Sequence, residues 1–296
     1  MLLDRLKAML LDPPPAMAFE ISGAGIAAAR IESRVELEFR PLKPGTLTIS
    51  PVKENIADAD EFALAVRALA GHQTSRKRRD VALILPDNCA RIVVLDFDAF
   101  PSDPKEQLAL VRFRLKRSVP FDVESAAVSY CAQPAVNKRT ELVAAVAPLE
   151  IVSRYEAPFR AAGMLPGLVT VSALAALELA PEGAITVLVK LTGNVVSVLV
   201  RSKGALKLAR CLEMPSPELV NVLDVLVPTF IYVEDNLGGR PEKLVLCGFG
   251  SRTEEASRRF AEELGVETEA LRSPLGTPGE DNAGLLGYLR SIARNN

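Results

Sequence analysis

"LILPDNCARIVVLDFDAFPSDPKEQLALVRFRLKRSVPFDVESAAVSY" (83–130) carries the strongest organisation in the chain. An apolar run closes on Leu85-Pro86-Asp87, and a second, "ARIVVLDFDAFP" (90–101), follows at once. Runs this short and rich in β-branched residues, bounded by Pro and Asp, read as buried strands. "DPKEQLALVRFRLKRSV" (103–119) then sets Leu108, Val111, Leu115 and Val119 on one side of an amphipathic helix. "PFDVESAAVSYCAQPA" (120–135) begins with an aromatic turn, Pro120-Phe121-Asp122, and enters a further strand.

Outward from this block the same alternation continues. "MAFEISGAGIAAARIES" (17–33) reads as strand, glycine turn and strand, with Gly23 and Gly25 supplying the turn. "VELEFR" (35–40) alternates as a third strand, and "DADEFALAVRALAGH" (58–72) has helical period and an acidic start. After "RTELVAAVAP" (139–148, strand) and "LEIVSRYEAPFRAAG" (149–163, helix), "AITVLVKLTGNVVSVLV" (184–200) forms a second hairpin. "GALKLARCLEMP" (204–215) continues that hairpin, and 216–238 is a helix bent at Pro228. "EKLVLCGFG" (242–250) is a strand running into a glycine turn, 252–266 a helix and 280–294 a closing helix. Each half therefore opens on a hairpin and proceeds through mixed strands and helices, a duplicated α/β arrangement flanking a central cleft. Turns and helix N-termini facing a cleft suit an anion.

Bulk properties narrow the function. The chain has 296 residues, 49% hydrophobic and 24% charged, which fits one large or two ordinary globular domains. A net charge of −2 argues against broad attraction to nucleic acid or anionic lipid. Cys89, Cys131, Cys211 and Cys247 are widely spaced with no CxxC pair, so they read as free thiols of a reducing compartment. The longest uncharged stretch, "GMLPGLVTVSALAAL" (163–177), is shorter than the ~20 apolar residues of a membrane span and contains Pro166. "MLLDRLKAMLLDPPP" (1–15) contains Asp4 and lacks a cleavage site, so it is not read as a secretory signal. Leu2, Leu3, Leu6, Met9 and Leu10 instead line one face of a short leader helix, which either docks on a partner or membrane surface or packs back on its own domain. The expected location is the cytoplasm.

The 83–130 block resembles the PilM family, cytoplasmic actin-like proteins of type IV pilus assembly. The resemblance rests on Leu85-Pro86-Asp87, Phe100-Pro101, the helix from Glu106, Pro120-Phe121-Asp122 and Tyr130. It is supported by 155–177, taken as a helical crossing into the second half, by "LVLCGFG" (244–250) and by "AGLLGYLRS" (283–291). The resemblance implies an α/β, actin-like (ribonuclease H-like) duplicated fold with a substituted subdomain in the first half, as in the cell-division protein FtsA. It implies a leader over 1–16, a first half over 17–165 with an inserted subdomain at about 80–150, and a shortened second half over 166–296. It further implies a place at the inner-membrane face of a pilus or related type II secretion machine. The implied partner is the N-terminal tail of a PilN-like membrane protein, held in a groove of the first half; self-association is left open.

Such proteins hold ATP in the cleft, and here the cleft departs from the family pattern. The 184–200 hairpin normally carries an aspartate that holds waters of nucleotide-bound Mg²⁺, and this chain has Lys190 before Thr192 and Gly193. An ammonium cannot ligate a cation, and two like charges a few ångströms apart cost on the order of several kcal/mol when partly buried. The first hairpin has Glu20 with its glycines displaced to Gly23 and Gly25. In the late turn Phe249 stands between Gly248 and Gly250 and is expected to crowd an adenosine. The segment between 215 and 242 is short, which predicts a lost wall over the base.

The expectation is a scaffold without catalytic residues, metal or required cofactor, with Glu20, Gly23, Gly25, Lys190, Thr192, Gly193, Gly248 and Gly250 marking a degenerate nucleotide cleft. The alternative is an ATP-binding switch in which Lys190 meets phosphate directly; a third reading has Lys190 pairing with a carboxylate such as Glu20. For the partner groove the candidates are Arg112, Leu115, Lys116 and Phe121, with capture by strand addition or groove docking. His72, the sole histidine, reads as a helix-end residue, "SRKRRD" (75–80) as a solvated loop and the Asp96/Asp98 pair as a solvated edge. The sequence contains no nucleophile elbow and no Walker-type loop.

Overall fold

The computed structural model describes residues 14–71, 79–133, 139–182 and 185–295. Residues 1–13 of the leader, His72 and positions 75–78 of the basic run lie outside the described residues. In the first half, β1 (Met17–Ile21), β2 (Gly25–Ile31) and β3 (Val35–Pro41) form an antiparallel meander. To β1 is added, in parallel, β4 (Arg79–Leu85), and to β4 in turn β8 (Met164–Val171). The second half repeats the plan: β9 (Thr186–Thr192), β10 (Val195–Ser202) and β11 (Ala205–Glu213) are antiparallel, and β12 (Lys243–Cys247) and β13 (Glu267–Ala270) add in parallel. The two sheet orders, β3-β2-β1-β4-β8 and β11-β10-β9-β12-β13, are therefore equivalent strand for strand. Duplication places the ends of β1 and β9, and the side chains just before their turns, on either side of the cleft.

Helices cover these sheets where local chemistry starts and stops them. α1 (Ala59–Ala70) begins at Asp58, whose carboxylate accepts from the Glu61 N–H at 3.0 Å, and it ends at Gly71. Phe62, Val66 and Leu69 on its inner face pack with Phe19, Tyr155 and Phe159 of β1 and α3 (Leu149–Ala161). Between β11 and β12 a single helix, α5 (Leu219–Leu237), carries Pro228 inside it. α6 (Thr253–Leu264) joins β12 to β13.

The three-stranded sheet β5-β7-β6, built from β5 (Arg91–Phe97), β6 (Ala126–Ala132) and β7 (Thr140–Pro148), forms a small unit with α2 (Pro104–Leu115). Asp103 caps α2 by accepting from the Lys105 and Glu106 N–H groups, and Pro104 takes the first helical position. Its core joins Leu95, Phe97, Val111, Leu115, Leu142 and Val146. The expected insertion began near residue 80, yet strand 79–85 is the fourth strand of the first large sheet, and the separate sheet spans 91–148.

Two further differences bear on the cleft. Residues 164–171, expected within a helical crossing, are the strand β8; α4 (Ser172–Ala176) follows it directly. The closing helix α7 (Ala283–Asn295) returns to the first half and lies against α4 and β1. That packing is close: a Cβ on Gly287 would stand 2.0 Å from the Ala175 carbonyl oxygen. The core beneath the cleft thus mixes both halves, with Ala18, Ile84, Ala173, Leu188, Val245 and Leu286 in one cluster.

Candidate functional site: the interdomain cleft

Glu20 and Lys190 hold matching places in the two halves. Glu20 sits near the end of β1 opposite Ile84 of the parallel neighbour, and Lys190 near the end of β9 opposite Cys247. Both side chains are about 1% exposed, in the buried floor between the sheets. The Glu20 carboxylate accepts from Ser172 Oγ at the start of α4 and from the Leu285 N–H in the first turn of α7, at 2.7 Å. Burial holds its carboxyl above the usual range, against the pull of Lys190 and of the two donors.

Lys190 Nζ donates to Thr192 Oγ1 at 2.5 Å and lies 3.4 Å from Asp87 Oδ2. Burial would push its ammonium down; the carboxylates of Asp87 and Glu20 overcome that, and its pKa stands above the ordinary lysine value. Asp87, which directly follows β4 and Pro86, is itself buried and accepts from the Ala173 N–H at 2.6 Å through its other oxygen. Lys190 thus pairs with a carboxylate, but the hydrogen-bonded partner is Asp87 rather than the Glu20 offered as the example, and Glu20 acts on Lys190 through its field.

The remaining cleft residues divide. Gly193, at a φ of +56°, makes the β9–β10 turn, and its N–H donates to Glu280 Oε2 at 3.1 Å. Gly248, at a φ of +82°, cannot carry a side chain, since a Cβ there would lie 1.9 Å from the Leu191 carbonyl oxygen. Gly250 faces open space. Phe249 lines the cavity, while its buried ring packs edge-on against Phe260 in the second half's own core. Gly23 stands exposed in the first hairpin, whereas Gly25 starts β2 against the Arg40 carbonyl of β3.

A cavity of about 980 Å³ opens between the halves, bounded by Gly193, Gly248 and Gly250 but not by Glu20, Lys190 or Thr192. The segment between 215 and 242 holds one helix, as expected, and the cavity's volume lies near the upper end of ordinary ligand sites. Its chemistry is acidic, with Glu38, Glu280 and Asp281 facing it and Arg252 the sole cation among the described lining residues. No group of three or more His, Cys, Asp or Glu able to hold a metal ion occurs among the described residues. At the end of β9 stands a buried, already paired ammonium, that of Lys190.

Of the groove residues on α2 and its turn, Leu115 needs correction. Leu115 is fully buried in the small unit's core and offers no surface to a partner. Arg112 is spent on the chain itself, donating to the carbonyls of Val123 at 3.0 Å and Glu124 at 2.9 Å. Lys116 pairs with Glu124 at 2.8 Å in solvent, and Phe121 is half-buried against the same core. As predicted, Asp96 and Asp98 lie at a solvated edge, where Arg139 bridges them. Asp87 and Ser172 were not singled out as site residues. The only signal for Asp87 was its place after a Leu-Pro strand end.

No family model matches the chain, and no characterised protein matches it in sequence. Solved structures do match its fold. The PilM-PilN type IV pilus biogenesis complex matches at a TM-score of 0.71 and 19% identity, over 95% of this chain and 99% of that one. A protein of Bacteroides thetaiotaomicron with an actin-like ATPase fold gives 0.53 at 11%, over 91% and 94%. The cytoplasmic domain of EpsL, an inner-membrane component of the type II secretion system of Vibrio cholerae, gives 0.51 at 12%, over 94% of each. Among the described residues no helix is long and apolar enough to cross a membrane. The chain has the actin-like fold, and it matches the fold of the PilM-PilN complex over nearly the whole length of both chains.

Proposed function

We propose that this protein is an actin-like scaffold at the cytoplasmic face of a type IV pilus or related secretion assembly, that it binds the N-terminal tail of a PilN-like membrane protein, and that its cleft is a pseudo-ATPase site. The observation that carries the cleft reading is the buried Lys190–Asp87 pair. An ammonium cannot ligate Mg²⁺, and unmaking the buried pair to free Asp87 for an ion leaves a charge stranded at a cost of about 3–5 kcal/mol. The partner reading is supported by the fold match to the PilM-PilN complex together with the Leu85-Pro86-Asp87 and Pro120-Phe121-Asp122 steps. Fluorescence anisotropy with a labelled N-terminal peptide of a PilN-like protein tests it. Saturable binding that a scrambled peptide does not reproduce supports the scaffold, and no binding to any such tail overturns it.

The second reading is a nucleotide-dependent switch. The cavity of about 980 Å³ favours it, since that space suffices for a nucleotide. Calorimetric titration with Mg-ATP separates the two. The scaffold gives no saturable heat at millimolar nucleotide, and the switch does.

A further inference from the structure

We infer that the cleft is closed to anions by the chain's own carboxylates, with Glu280 standing as a built-in anion on the Thr192–Gly193 turn. The inference rests on the scaffold reading for one premise, that the native cleft does not take Mg-nucleotide, and it says why a cavity of sufficient size does not.

Three amides and two side-chain donors at the Thr192–Gly193 turn and the cleft floor already have acceptors. Gly193 N–H goes to Glu280 Oε2 at 3.1 Å, Ala173 N–H to Asp87 Oδ1 at 2.6 Å and Leu285 N–H to Glu20 Oε2 at 2.7 Å. Ser172 Oγ donates to Glu20, and Lys190 Nζ faces Asp87 and Thr192. Amides of turns and of helix first turns are the groups that would cradle a phosphate. Here a carboxylate oxygen already accepts from each of these three. Glu20 and Asp87 are buried and fixed, but Glu280 is exposed, so it is the member that a ligand anion would have to displace.

Glu280 is also held in place. The segment before α7 is anchored where Leu271 N–H donates to the Leu246 carbonyl at 2.8 Å. Asn282 Oδ1 accepts from Gly279 N–H at 2.7 Å, and its amide donates to the Thr277 carbonyl at 3.2 Å. A carboxylate positioned by such a loop loses little freedom on meeting the Gly193 amide, so the contact is cheap to keep. Its neighbours reinforce the effect: Asp281 and Glu38 share the cavity with Arg252 as the only cation among the described lining residues. A polyphosphate entering there meets three carboxylates against one guanidinium.

The test uses the full chain, isotopically labelled, with inorganic pyrophosphate as the probe and the Gly193 amide resonance as the reader. In Glu280→Ala the resonance should move upfield as the carboxylate is lost, and pyrophosphate should shift it back with an affinity at least tenfold above that of the native protein. Glu280→Lys should raise the affinity further. Equal response of native and variant proteins, or response in neither, overturns the inference. Failure of the scaffold reading looks different, because it appears as Mg-ATP binding to the native protein. The exposed side chain makes the variant a mild one, and an unchanged thermal midpoint confirms that it folds.

Discussion

Lys190 of the second sheet reaches across the cleft floor to Asp87 at the end of a first-sheet strand, with 3.4 Å between the ammonium and a carboxylate oxygen. Both groups are buried, so the pair ties the halves together where an actin-like cleft would open and close around a ligand. One-sided removal is expected to be costly. Lys190→Met or Asp87→Asn alone should lose about 3–5 kcal/mol in denaturant unfolding. Lys190→Met with Asp87→Leu should recover most of that. A double-mutant cycle with no coupling energy would mean that the two charges do not sense each other.

The same pair sets an alkaline limit. The folded-state pKa of Lys190 lies above its unfolded value of 10.5, so folding binds the proton more tightly. Its stabilisation is complete below 10.5 and is lost as pH rises through the folded pKa. Glu20 acts in the opposite range. Its carboxyl is raised above 4.5 by burial, so stability falls as pH climbs from 4.5 through the folded value. Stability curves of Lys190→Met and Glu20→Gln against pH should lack the alkaline and the acidic slope respectively; unchanged slopes would contradict the assignments.

Gly248 is demanded by packing, whatever its role toward a ligand. Gly248→Ala combines an unfavourable backbone with overlap at the Leu191 carbonyl, and should cost on the order of 3 kcal/mol or more. Gly250→Ala meets no neighbour and should cost only about 1–2 kcal/mol, for its left-handed φ of +55°. Thermal melts of the two variants decide this, and equal losses would be the contrary result.

The small unit is latched to the second half. Gln133 exchanges two hydrogen bonds with the Leu206 backbone, at 2.8 and 2.7 Å, and Lys207 pairs with Glu141 at 2.6 Å. Gln133→Ala with Lys207→Ala should speed hydrogen exchange at 205–208 and along β7, while β1 and β4 keep their protection. Uniformly faster exchange would mean global destabilisation instead.

Thiol chemistry offers an independent check of the buried floor. Burial pushes the thiols of Cys89 and Cys247 up to about 12, so at pH 8 they carry almost no thiolate. Cys131 is exposed and should be alkylated first in the native protein. Early modification of Cys247 would show that the floor beneath the cavity is open to solvent.

Much of the fold was legible because period and punctuation agree. Gly71, Asp103-Pro104 and the alternation of 17–40 fix local structure without help from the rest of the chain. Strand β8 was obscured by Pro166 and Gly167, which weaken a strand pattern, and by the small residues that run on into α4. β13, "ETEA", has no apolar alternation, because an edge strand four residues long need not bury a face. Lys190 announced itself as a charge in an apolar run, but its partner did not. Asp87 and Lys190 are 103 positions apart, and only the duplicated sheet topology brings them together. The direction of the Phe249 ring and the burial of Leu115 are likewise decided by which side of a sheet faces the core, a tertiary matter that spacing alone leaves open.

The most direct test is calorimetric titration of the native protein with Mg-ATP, beside the Lys190→Asp variant. The expected result is no saturable, Mg²⁺-dependent heat from the native chain up to millimolar nucleotide. Saturable binding that requires Mg²⁺ with Lys190 in place would contradict the account, since the ion would then be seated where a paired ammonium is held to exclude it.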